Sequence, residues 1–168
     1  MHEALDAAKL PHAFGGAIAL AYCTGEPRGT RDLDVNVFAT PASARDVLRA
    51  LPPDVEADDR AIQAAEAEGQ VRVWWKDTPI DVFLDVHEFH AQIAAHTVIV
   101  PFEGHQIPVL CCTDLAVFKA LFDRTRDWAD IEDMAAAGTL DIPRVRAWLE
   151  RFSGADAPAI ARLQKLTG

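Results

Sequence analysis

Three cysteines are too few, and too awkwardly placed, for a disulfide framework: Cys23 stands alone, and Cys111 and Cys112 are neighbours. The count is odd and the spacing matches no zinc site, and Cys111 and Cys112 read as packing residues. No apolar run approaches the roughly 20 residues that span a bilayer, which argues against a membrane partner. The opening MHEALDAAKLPHAF has neither the basic start nor the long apolar stretch of a secretory leader, so the expected compartment is the cytoplasm. Basic residues are scarce too. Sixteen Lys and Arg against 26 Asp and Glu give a formal charge of -10. A protein that grips nucleic acid through its phosphates carries a basic face, so free RNA or DNA is not the expected main partner. Internal repeats and low-complexity segments are also missing.

What is present is a chain that can build a core. Half of its 168 residues are hydrophobic, and a chain of this length buries roughly 68–70% of its unfolded surface without covalent staples. Breakers and periodicity divide it. A helix near 2–9 stops at Pro11, and a second opens after Gly15-Gly16. The run Asp32–Phe38 alternates as a strand. Thr40-Pro41 opens a helix to about Leu51, and another covers 57–68. Two β-rich runs, Val71–Lys76 and Pro79–Val86, form a hairpin about Asp77-Thr78, and a second hairpin joins Thr97–Phe102 to Gln106–Leu110. A helix near 88–95 lies between them. Thr113 caps a helix from Asp114, and Pro143 and Pro158 sit in the first turns of later helices. The expected class is α+β: a mixed or antiparallel sheet of five strands covered by helices, with a core over 1–112 and a helical segment over 113–168 packed on the same domain.

The chemistry gathers around three carboxylates. Asp32 and Asp34, two apart on a strand, project from one face. Carboxylates so close repel unless a proton or a cation intervenes, and paired oxygens at a strand start suit a hard cation such as Mg²⁺. An Asp-x-Asp by itself is most often a solvated strand end. Asp81 adds weight, because an unpaired carboxylate in the apolar strand Pro79-Ile-Asp-Val-Phe-Leu84 is costly. A hairpin beside the Asp32 strand would bring the three together. Gly15-Gly16 before a helix is an independent part: glycine lets backbone approach a ligand, and the helix start offers N–H groups to phosphate. Two glycines in isolation are more often a tight turn.

In this order, Phe14-Gly-Gly-Ala-Ile-Ala, Arg28-Gly-Thr-Arg-Asp-Leu-Asp-Val35 and Ile80-Asp-Val82 resemble the nucleotidyltransferase superfamily that includes DNA polymerase β. The stretch from Phe118 to Ile131 is similar to one in small bacterial members, including antibiotic nucleotidyltransferases and toxins of the abortive-infection type. The resemblance implies transfer of a nucleoside monophosphate from a triphosphate such as ATP to a hydroxyl. It implies that Asp32, Asp34 and Asp81 are catalytic and hold Mg²⁺ or Mn²⁺, with Asp81 also taking the hydroxyl proton. Gly15 and Gly16 would hold the phosphates, assisted by Thr30, Arg31 and Lys119, with Arg28 nearby. Residues 17–31 form a wider gap between the Gly pair and Asp32 than the family usually has. The acceptor is expected to be a small molecule or a protein side chain. A catalytically silent binding module, with a protein partner as in a toxin–antitoxin pair, is the alternative.

Other features carry less. Asp127 and Asp130 are expected to pair with Arg124 or Arg126. His87 and His90 are three apart, miss the metalloprotease spacing, and read as surface histidines. Trp74 and Trp75 face opposite sides of a strand, one toward the core and the other over a groove or interface.

Overall fold

The structure, a computed structural model, describes residues 1–166. The chain falls into two compact units: Met1–Ile18 with Arg28–Leu110, and Ala19–Pro27 with the chain from Cys111 onward.

The first unit carries a seven-stranded mixed sheet. Its strands are β1 (His12–Phe14), β2 (Leu33–Val37), β3 (Val55–Glu56), β4 (Gln70–Trp75), β5 (Thr78–Leu84), β6 (Val98–Phe102) and β7 (His105–Val109), in the order β3-β4-β5-β2-β1-β7-β6. Pairs β2–β5 and β1–β7 are parallel, and the others are antiparallel. Two of these strands, β1 and β3, lie outside the five that the alternation marks. They are three and two residues long, and β1 is buried at every position, so neither shows a period.

Register decides which side chains share a face. Leu33, Val35 and Val37 lie opposite Ile80, Val82 and Leu84, and Val73 lies opposite Ile80. Apart from Leu33, these are at most 1% exposed, which makes this the core face. Helices α1 (His2–Ala7), α3 (Ala44–Arg49), α4 (Asp59–Glu68) and α5 (Glu88–Ala95) bury Leu5, Val47, Ile62 and Ile93. Helix α4 packs on β4. The Asp58 side chain caps α4 by accepting from the Ala61 N–H, and Gly69, at φ 69°, ends it in the left-handed conformation. The expected helix from Pro41 begins instead as a 3₁₀ turn, Pro41–Ser43, before α3.

Helix α2 (Gly16–Thr24) starts in the first unit and continues into the second. The second unit otherwise consists of α6 (Cys112–Phe122), α7 (Thr125–Ala136), α8 (Ile142–Ser153) and α9 (Pro158–Lys165). Three findings there differ from expectation. Cys112 is not a packing residue but forms a disulfide with Cys23, Cα atoms 5.5 Å apart, and among the described residues Cys111 is the free thiol. Thr113 is not a cap. Helix α6 starts two residues earlier, at Cys112, and the Thr113 hydroxyl accepts the Asp141 N–H at 3.1 Å. Asp130 pairs with Lys119 at 2.5 Å, whereas Asp127 takes Arg124 as expected.

Candidate active site

Asp34 and Asp81 are register partners on the parallel strands β2 and β5. They therefore point to one face from strands about 4.8 Å apart. Both sit one residue off the core pattern, so the sheet's alternation puts them on the face away from Val35 and Val82. Asp32 lies just before β2, and its Oδ1 accepts from the Thr30 hydroxyl.

The Gly pair meets this face directly. Gly15 donates its N–H to the Asp34 carbonyl at 2.9 Å, so that amide is engaged in joining the turn to β2. Gly16 adopts φ 50°, and a Cβ there would fall 1.9 Å from Asp34 Oδ2. Only glycine brings the start of α2 this close to the carboxylate. A helix start leaves its first N–H groups without intrahelical partners, so the Asp34 carboxylate and an anion-seeking helix terminus share one place.

Sequence reasoning missed Arg72. It lies on β4 directly opposite Asp81. Its Nε and Nη2 donate to the two Asp81 oxygens at 2.7 and 2.6 Å, a fork-on-fork pair. That hydrogen bonding and the charge of Asp81 raise the guanidinium pKa, and Asp32 and Asp34 add to the effect. All three carboxylates thus act on one cation, which is the protein's own.

Of the other expected residues, Thr30 is hydrogen-bonded to one of these carboxylates, Asp32. Thr30 and Arg31 are exposed in the segment before β2, and Arg28 is half-buried there. Lys119 lies in the second unit on α6, is 6% exposed, and donates to Asp130 at 2.5 Å with Asp127 Oδ1 at 3.5 Å. Its ammonium is engaged by two carboxylates. Burial pushes the Asp127 carboxyl upward, but the Arg124 guanidinium and Lys119 prevail and hold it below the usual range.

Among the described residues, no three His, Cys, Asp or Glu side chains are grouped closely enough to hold a metal ion. The donor chemistry at Asp34 and Asp81 is nonetheless all carboxylate oxygen, the kind that Mg²⁺ and Mn²⁺ take. His87 caps α5, its Nδ1 accepting the Phe89 N–H, and His90 is buried rather than on the surface. A cavity of about 320 Å³ is lined by residues that include Phe14, Leu33, Trp75 and Ile107. None of the three carboxylates lines it. Trp74 is 46% exposed, and its two-residue spacing from Arg72 sets it on the carboxylate face.

Comparison of the structure with solved proteins decides the architecture. It matches an antigenic nucleotidyltransferase-like protein from Paracoccidioides brasiliensis at 15% identity and TM-score 0.57, covering 97% of this chain and 88% of that one. The chain has the nucleotidyltransferase fold. The antibiotic-resistance factor ANT(2'')-Ia shares this fold at 12% identity and TM-score 0.60, over 90% of this chain and 88% of its own. No family model and no curated protein matches the sequence. Among the described residues, no helix of this nucleotidyltransferase-fold chain is long and apolar enough to cross a membrane.

Proposed function

We propose that the chain transfers a nucleoside monophosphate from a nucleoside triphosphate to a hydroxyl acceptor, with Asp32, Asp34 and Asp81 as the catalytic, cation-binding carboxylates. The observation that carries this reading is the stacking of three parts on one sheet face: Asp34 beside Asp81, and Gly16 beneath Asp34. A divalent cation, Mg²⁺ or Mn²⁺, would supply charge neutralisation for the triphosphate and acidify the acceptor hydroxyl. The protein's own residues do the positioning. Gly16 and the first turn of α2 receive phosphate oxygens, while Gly15 holds the turn to β2. Thr30 keeps Asp32 oriented, and Arg31 offers a cation to the triphosphate. Asp81 accepts the acceptor's proton. Lys119 belongs with Asp127 and Asp130 as a fixture of the helical unit.

The charge of -10 favours a compact acceptor, a small molecule or a protein side chain, because long-range repulsion slows encounter with a polyanion. One observation favours the second reading, a catalytically silent nucleotide-binding module with a protein partner: Arg72 already covers both oxygens of Asp81.

Calorimetric titration with Mg²⁺ and each nucleoside triphosphate, followed by tracing label from the triphosphate into cellular fractions, tests the proposal. Cation-dependent nucleotide binding that Asp34→Asn abolishes, with label reaching a hydroxyl compound, is expected. Binding without any transfer would select the silent module, and no binding would remove both.

A further inference from the structure

Arg72 occupies the position in β4 directly opposite Asp81 in the antiparallel register. The contact is therefore built by the backbone and does not arise from a chance meeting of surface side chains. Both Asp81 oxygens accept from it. A cation shared between Asp34 and Asp81 needs an oxygen of Asp81 with a lone pair directed at it, and the guanidinium takes one of the two lone pairs on each oxygen. It also brings a positive charge to the same face, where it would repel a divalent ion at contact distance. The Arg72 side chain is 53% exposed and Asp81 21%, so the guanidinium can leave without unpacking the core.

We propose that Arg72 is an alternating partner that covers Asp81 in the nucleotide-free protein and moves to a phosphate oxygen when a triphosphate arrives, so that cation and nucleotide bind together. This rests on the nucleotidyl-transfer reading above and adds to it a rule of order. The chemistry of the guanidinium supports both halves. Its planar fork matches carboxylate and phosphate alike, so the two anions compete for one donor set. Three carboxylates on this face hold the charge while no triphosphate is present, since Asp32 and Asp34 act on Arg72 as well as Asp81. An arriving triphosphate exchanges that environment for another anion and gives Asp81 back to the cation.

The test measures Mn²⁺ binding to the whole protein by calorimetry, without nucleotide and with a non-hydrolysable nucleoside triphosphate. Wild type, Arg72→Met, Arg72→Lys and Asp34→Asn are compared. Without nucleotide, Arg72→Met is expected to bind Mn²⁺ at least about tenfold more tightly than wild type, and Arg72→Lys to fall between them. The nucleotide should then sharpen Mn²⁺ binding strongly in wild type and far less in Arg72→Met. Circular dichroism confirms folding, and Arg72→Lys carries the comparison if the methionine variant does not fold. Unchanged or weaker Mn²⁺ binding in the variants, with wild type still binding Mn²⁺ and nucleotide through Asp34, overturns this inference and leaves the transfer reading intact. Loss of both ligands in every protein, wild type included, overturns the two together.

Discussion

Gly16 and Asp34 occupy adjoining space so closely that a Cβ on the glycine would lie 1.9 Å from the aspartate Oδ2. At φ 50° any other residue is also strained. Gly16→Ala is therefore expected to displace the carboxylate as well as block the phosphate approach. Nucleotide and Mn²⁺ affinity should both fall by tenfold or more in calorimetry. The left-handed backbone should cost about 1–2 kcal/mol of stability in a denaturant melt. Full Mn²⁺ affinity in the variant would mean that Asp34 takes no part in holding the cation.

Lys119 leads to the opposite kind of prediction. Replacing it with Met leaves Asp127 and Asp130, 2% and 4% exposed, with one cation fewer. Breaking a buried pair in this way costs about 3–5 kcal/mol, readable as a lowered midpoint in urea. If stability held while nucleotide affinity dropped, Lys119 would return to the triphosphate.

Stability should also fall on mild acidification. Burial lowers the pKa of His12 against the opposing pull of the Leu10 carbonyl and Asp6, and lowers that of His90 against Asp85 and the His87 carbonyl. Below about 6.5 the unfolded chain then binds more protons than the folded one, so their contribution is present above that pH and lost beneath it. Asp127 adds a second loss at lower pH, because its depressed carboxyl stabilises only while ionised. Melting temperatures at pH 7.5, 6, 5 and 3 should decline stepwise, the Asp127 loss falling between the last two. His90→Gln should flatten the first step, and an unchanged slope would remove His90 from this account.

The disulfide gives a direct chemical count. Denatured without reductant, the protein should expose one reactive thiol, Cys111, and three after reduction. Cys23→Ser should lower stability by about 2–4 kcal/mol. In the folded protein Cys111 should alkylate slowly at pH 8, since burial pushes its thiol up to about 11. Three thiols without reductant would show that the bond is not formed.

Much of the site is legible in the sequence because alternation is a local signal. Asp34 and Asp81 sit one step off strongly apolar strands, and residue order alone marks their face. Arg72 is not legible, because a single residue in a turn hides it. A turn at Asp77-Thr78 would set Trp74 against Asp81, whereas the turn at Lys76-Asp77 sets Arg72 there. In an antiparallel hairpin, moving the turn by one residue shifts every cross-strand partner by two, so the facing side is kept and the neighbour changes. The Cys23–Cys112 bond, spanning 89 residues, leaves no local trace at all. His90 reads as a surface residue because spacing gives its place on a helix but not what packs over it.

One end of the sheet has consequences for behaviour at high concentration. Strand β6 is an edge, and Val98, Ile99 and Phe102 on it are 45%, 60% and 43% exposed. A long apolar edge of this kind is a template for another chain's backbone, the usual seed of aggregation. Phe102 and His105 flank the two-residue turn Glu103-Gly104 and so form the hydrogen-bonded pair next to it, which makes Pro101 a residue whose nitrogen points outward. The outward row of donors is therefore interrupted just beyond Ile99, where an incoming strand would need it. Pro101 acts as a gatekeeper of solubility, and its replacement by Val would turn a protected edge into an adhesive one.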